Sequence, residues 1–159
     1  VRAARMAGTF GVPTIIAPGR EPEVLGHLLA GHHDVGTLFV PRDAGLSARK
    51  SWIRFGSRPA GILSVDAGAE QVVRGHGKSL LPSGLTGVSG EFPAGAAVEI
   101  QGPGGAVFAR GLVSYASFEI QKLIGVRGDQ VAQRLGYTNG DAVVHRDDLV
   151  VIGEREFEA

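Results

Sequence analysis

Several short stretches of this 159-residue chain hold side chains of the kind that do chemistry. His27, His32 and His33 offer imidazoles to a metal, but His27 and His32 are five residues apart. Facing ligands on a helix stand three or four apart, so the spacing favours a solvated turn over a metal site. His145-Arg146-Asp147-Asp148 mixes acid and base. Strand alternation sends His145 and Asp147 to one face and Arg146 and Asp148 to the other. No nucleophile adjoins the group, and a salt-bridged strand end is the expectation. Ser114-Tyr115-Ala116-Ser117 reads as a strand-to-helix turn capped by Ser114 or Ser117. It is no nucleophile elbow, because the chain has no G-x-S-x-G.

Phosphate chemistry needs a glycine-rich loop between a strand and a helix, where free N–H groups converge. Gly75-His76-Gly77-Lys78-Ser79 ends in Gly-Lys-Ser as a P-loop does, but Val72 stands where that motif requires its first glycine. The match fails. A basic–aromatic run, Arg49-Lys50-Ser51-Trp52-Ile53-Arg54-Phe55, can grip an anion or stack on a base. The reading adopted is packing by Trp52 and Phe55 with solvated cations. If RNA is bound, Arg74 and Lys78 are the expected phosphate contacts. No catalytic, cofactor-binding or metal-binding residue is assigned.

These residues need elements to hold them. Apolar residues make up 43% of the chain, enough for a real core, and 25 glycines point to tight turns rather than long helices. No apolar run approaches the length of a membrane span. The absence of cysteine excludes disulfides and thiolate metal sites, and fits a cytoplasmic location. Residues 1–55 hold seven Lys/Arg against four Asp/Glu, and residues 56–159 nine against twelve. The rear of the chain is therefore slightly acidic, unlike a typical nucleic-acid-binding domain with its basic face.

Arg2–Ala7 favours a helix stopped at Gly8, and Val12–Ala17 is a β-branched strand candidate. Glu21 to about Ala30 forms a helix with Val24, Leu25, Leu28 and Leu29 on one side, and Val35–Val40 is the next strand. That alternation belongs to a doubly wound parallel sheet. Two such strands cannot cover both faces of the sheet, so residues 1–41 are expected to be the remnant of a larger α/β domain with an exposed apolar strip. A linker, 42–56, follows. From 57 to 152 short strands alternate with glycine turns: Gly61–Asp66, Thr86–Phe92, Ala97–Gln101, Val107–Ser114 and Ala142–Ile152. Gly102-Pro103-Gly104-Gly105 marks a hairpin. Helices are expected over Ala67–Gly75, capped by Asp66 with Ala69, Val72 and Val73 facing inward, and over Ser117–Ile124 and Gln130–Leu135. Residues 153–159 form a tail. The whole reads as an α/β fragment followed by a mainly β pseudo-barrel with short helices.

The run Gly77-Lys78-Ser79-Leu80-Leu81-Pro82-Ser83-Gly84-Leu85, followed by Val88-Ser89-Gly90-Glu91-Phe92, resembles the PUA domain. Together with Gly36-Thr37-Leu38-Phe39, Arg49-Lys50-Ser51-Trp52-Ile53, Val65-Asp66-Ala67-Gly68-Ala69 and Val144-His145-Arg146-Asp147-Asp148-Leu149, it resembles the C-terminal part of bacterial glutamate 5-kinases over nearly the whole chain. That resemblance implies the end of an amino acid kinase domain followed by a PUA domain. It also implies ATP- and Mg²⁺-dependent phosphorylation of the L-glutamate side-chain carboxylate in the intact enzyme, the first step of proline biosynthesis. It implies an upstream kinase segment as partner, a homo-oligomer, and neither ATP nor Mg²⁺ held by this chain alone. The alternative is a PUA-type RNA-binding or regulatory module without catalysis of its own.

Overall fold

The computed structural model describes residues 1–9, 11–31, 35–41 and 48–152. The chain divides into two compact units between Ser51 and Trp52. The front unit carries α1 (Arg2–Thr9), β1 (Thr14–Ile16), α2 (Val24–Leu29), β2 (Thr37–Phe39) and α3 (Ala48–Ser51). An α/β order is present, but β1 and β2 pair antiparallel, with Ile15 opposite Leu38 and Ile16 opposite Thr37. This corrects the expected parallel pairing. The close approach of Gly36, at φ 98°, brings the start of β2 against the end of β1. A Cβ there would lie 2.6 Å from the Ile16 carbonyl oxygen.

The helix α2 begins after Glu23, whose φ of 59° places it in the left-handed region, so Glu21 and Pro22 precede the helix rather than open it. None of its residues is buried. Leu29, at 89% exposure, and Ile15, Ile16 and Leu38 on the strands are apolar side chains facing open space among the described residues. His27 is on α2; His32 and His33, like the linker residues 42–47 and the tail 153–159, lie outside the described residues.

The rear unit opens with a π-helical turn, Trp52–Gly56, followed by β3 (Gly61–Val65), α4 (Ala67–His76), a 3₁₀ turn Pro82–Gly84, and β4 (Leu85–Ser89). Then come β5 (Ala97–Gln101), β6 (Val107–Val113), α5 (Ser117–Leu123), a 3₁₀ turn Gly128–Gln130, α6 (Val131–Leu135) and β7 (Val144–Val151). The sheet order is β4-β3-β5-β6-β7, with β3–β5 parallel and the other pairs antiparallel. A bridge between Leu80 and Val144 ties the approach to β4 onto β7, turning the sheet toward a barrel. Its interior is filled by the inward alternation of the strands: Leu63 and Val65, Val98 and Ile100, Phe108, Val113, Val144 and Leu149. Tyr115, Ile120, Leu123 and Val131 close it.

The strands and helices match the expected spans closely, and the departures have physical causes. β4 stops at Ser89 because Gly90 turns at φ 95°, and Phe92 buries itself from the following loop. Ser117 does not cap α5. Its hydroxyl accepts from the Phe92 N–H at 3.2 Å, while the Glu119 carboxylate accepts from the Ala116 N–H at 2.9 Å. Ser114 does not cap it either, since the residue preceding the helix is Ala116. In the basic–aromatic run the buried anchor is Ile53, whereas Trp52 is 48% exposed. The wide turn accounts for this: its carbonyls are caught by Ser57 N–H on Trp52, Ser57 hydroxyl on Ile53 and Arg110 Nη1 on Arg54.

Candidate nucleic-acid interface

The helix α4 forms where it does because Asp66 caps it, its Oδ1 accepting from Ala69 N–H at 2.7 Å. Val73 points into the core and Ala69 packs partly against it, but Val72 is 42% exposed, correcting the expected inward face. Val72 instead stands beside a cavity of about 280 Å³ between α4 and the segment Ser79–Gly84. Its lining is mainly apolar, from Ala69, Val72, Val73, Leu80 and Leu81, with Asp66, Ser79 and Ser83 supplying polar atoms. Leu81 is 43% exposed, so two uncovered apolar side chains, Val72 and Leu81, belong to one cavity.

Gly77, Lys78 and Ser79 run from the end of α4 to the Leu80 bridge. Ser79 Oγ accepts from the Arg146 N–H at 3.0 Å, which joins this segment to β7. There the ladder is irregular: Val113 pairs with Val144 and Gly111 with Leu149, so residues 145–148 bulge opposite Leu112. Gly111 permits the bulge, since a Cβ on it would lie 2.4 Å from Val144 Cγ1 and 3.0 Å from the Asp148 carbonyl oxygen. The bulge cancels the expected alternation, and His145, Arg146 and Asp147 are all exposed. Asp147 lies 3.4 Å from His145 Nδ1 and 3.8 Å from Arg146 Nε, a charged knot at a strand end.

The two residues expected as phosphate contacts differ in their surroundings. Arg74 is occupied: its Nε donates to Glu70 Oε1 at 2.8 Å and its guanidinium lies 4.8 Å from the centre of the Phe108 ring. Lys78 is exposed and makes no ion pair among the described residues. Arg146, read from sequence only as half of a strand-end pair, is brought to the Lys78 segment by the Ser79 bond. No sequence signal announces the cavity. Its parts lie on a helix, a bridge and a 3₁₀ turn, and only their closure joins them.

ATP phosphates and a divalent metal do not fit the described residues. No group of three or more His, Asp or Glu side chains among them can hold a metal ion. Gly75–Ser79 leads out of a helix rather than into one, so its N–H groups do not converge on a phosphate.

Residues 61–135, which carry β3 to β6 and α4 to α6 of the PUA-like pseudo-barrel, match the family model of the PUA domain. The chain as a whole is homologous to the C-terminal part of glutamate 5-kinases. It is 51% identical to the glutamate 5-kinase of Trichlorobacter lovleyi over 152 residues, which cover 96% of this chain and 40% of that protein. It is 48% identical to that of Pelobacter propionicus over the same shares. The chain thus spans about two-fifths of the length of the curated relatives it matches. A solved PUA domain from Aeropyrum pernix K1 aligns over 84% of each chain at 15% identity, with a TM-score of 0.41.

Proposed function

We propose that this chain is the C-terminal portion of a cytoplasmic glutamate 5-kinase. In the whole protein the γ-phosphoryl group of ATP passes to the side-chain carboxylate of L-glutamate with Mg²⁺, opening proline biosynthesis. The observation that carries this reading is the 51% identity over 96% of the chain. The charge-neutralising groups that phosphoryl transfer requires would lie in the part of the relatives' length that this chain does not span, since no group of three or more His, Asp or Glu among the described residues can hold a metal ion. The uncovered apolar side chains of β1, β2 and α2 support the same arrangement, because a sheet face of this kind is stable only when covered. Glutamate-dependent consumption of ATP by the full-length protein, and none by residues 1–159, is the expected result. Turnover by residues 1–159 alone would refute the assignment of chemistry to the upstream segment.

A second reading, a PUA-type RNA-binding module, is favoured by one observation: Ser79, which lines an apolar cavity and follows the exposed Lys78, accepts a hydrogen bond from the backbone N–H of Arg146. The overall charge is zero, so the affinity expected for single-stranded RNA is weak and falls steeply with salt. Lys78→Glu lowers it and reduces the salt slope by about one. The same substitution leaves the kinase activity of the intact enzyme unchanged. Tight binding that ignores salt would contradict this reading.

A further inference from the structure

We propose that Asn139 is a site of spontaneous covalent modification: its side-chain amide closes onto the Gly140 nitrogen, loses ammonia and reopens with water as aspartate or isoaspartate. Thr138 and Ser114 hold the rate down, and the product unfastens the loop that clasps Tyr115. Asn139 is the single asparagine of the chain, and a glycine follows it. Both residues are exposed, so water and hydroxide reach them. Gly140, at φ 105°, has no side chain to crowd the attacking nitrogen, and the space where a Cβ would stand is open. The chemistry depends on neither the kinase reading nor the RNA reading.

The step balances with water alone. Hydroxide takes the Gly140 N–H proton, and the nitrogen attacks Asn139 Cγ. The N–Cγ bond forms, the Cγ–Nδ2 bond breaks, and the amide nitrogen departs as ammonia with a proton from water. A water molecule then opens the cyclic imide at either carbonyl. Cleavage at Cγ leaves aspartate. Cleavage at the main-chain carbonyl leaves isoaspartate, whose backbone runs through Cβ and Cγ and is one atom longer. Two hydrogen bonds oppose ring closure. The Gly140 N–H donates to Thr138 Oγ1 at 3.0 Å, which withholds the proton that hydroxide must take. Asn139 Nδ2 donates to the Ser114 carbonyl at 3.1 Å, which pins the amide that must reach the nitrogen. The same loop closes the core. Tyr115 is fully buried, donates its hydroxyl proton to the Gly140 carbonyl and accepts from the Asn139 N–H at 2.8 Å. Isoaspartate inserts its extra atom between those two backbone groups, so they no longer meet one hydroxyl and a buried polar atom loses a partner. Aspartate keeps the backbone but sets a carboxylate against the Ser114 carbonyl, acceptor against acceptor.

The test incubates the full-length protein in warm, mildly alkaline buffer and follows the tryptic peptide 135–146 by mass spectrometry, beside the same peptide made synthetically. Aspartate and isoaspartate should both accumulate at position 139, told apart by an isoaspartyl methyltransferase. The folded protein should convert at least about fivefold more slowly than the free peptide, the rate equivalent of one hydrogen bond. Unfolding in urea should abolish that difference. Thr138→Val, which removes the acceptor of the Gly140 N–H, should speed the folded protein by about fivefold. Asn139→Gln, whose ring would be one atom larger, should stay unconverted over the same period. In hydrogen exchange, peptide 135–146 of the isoaspartate fraction should be less protected than that of Asn139→Asp, since only isoaspartate lengthens the backbone. No product at 139 after the free peptide has fully converted would overturn the site. Conversion of the folded protein at the free peptide's rate would refute control by Thr138 and Ser114. Equal protection of the isoaspartate fraction and Asn139→Asp would rule out the unclasping of Tyr115.

Discussion

Removing the cation of the Glu99–Arg110 pair tests how the barrel holds its entering turn. The two residues face each other across β5 and β6, with Arg110 Nη2 2.9 Å from Glu99 Oε1. Their side chains are 22% and 20% exposed, and Arg110 Nη1 also donates to the Arg54 carbonyl at 3.0 Å. Breaking a fully buried pair costs about 3–5 kcal/mol and an exposed one up to about 1 kcal/mol. At one-fifth exposure the loss falls between, at about 2 kcal/mol. Loss of the hydrogen bond to the Arg54 carbonyl adds about 1 kcal/mol. Arg110 Nε is buried without a partner, so methionine at this position also removes an unsatisfied donor. Arg110→Met is therefore expected to lose about 2–3 kcal/mol, and Glu99→Leu about 2 kcal/mol. The double variant should lose much less than their sum, because no charge is left stranded. Urea unfolding with an unchanged denaturant slope measures all three. A coupling energy below about 0.5 kcal/mol would show that the pair is solvated, and an Arg110→Met loss no larger than that of Glu99→Leu would show that the Arg54 contact does not hold the turn.

Two further outcomes follow from particular contacts. Gly111→Ala pushes a methyl to within 2.4 Å of Val144 Cγ1, so about 1–3 kcal/mol of stability should be lost and the amides of 145–148 should exchange faster. Wild-type exchange at those amides would mean that the bulge does not need the glycine. Tyr137 donates its hydroxyl proton to Glu119, and that hydrogen bond, then weak desolvation and the nearby carboxylate charge, raise its pKa above 10.0. A raised folded-state value gives stability that is full below pH 10 and is lost as pH rises through the folded pKa. Tyr137→Phe should remove that alkaline dependence, and phenolate absorbance of the unaltered chain should show one tyrosine titrating late; an ordinary titration would refute the bond.

Most strands of the barrel were legible in the sequence, because β3 and β6 bury alternate side chains and β4 and β5 stop before Gly90 and Gly102. Val98 and Ile100, or Leu63 and Val65, announce their inward face by period alone. The cap at Asp66 was legible for the same local reason. The pairing of β1 with β2 was not. Strand direction depends on where a chain returns, and the approach of Gly36 to Ile16 joins residues twenty apart. The inward face assigned to Val72 failed because the helical period places a residue on a side without saying whether a neighbour fills it.

By itself the sequence determined the class of this protein: a glycine-punctuated β unit behind an α/β segment, with the motifs of a PUA domain and of the end of a glutamate 5-kinase. Composition, alternation and motif spacing are local properties that survive without knowing any contact. Only the tertiary structure decided what the surface can do. It diverted Arg74 onto Glu70 and Phe108, and it brought Arg146 to Ser79 across 67 residues of chain. It also opened a cavity between a helix and a turn. Those outcomes depend on the closing of the barrel, since the position of a side chain in space is set by the strands beneath it rather than by its neighbours in sequence.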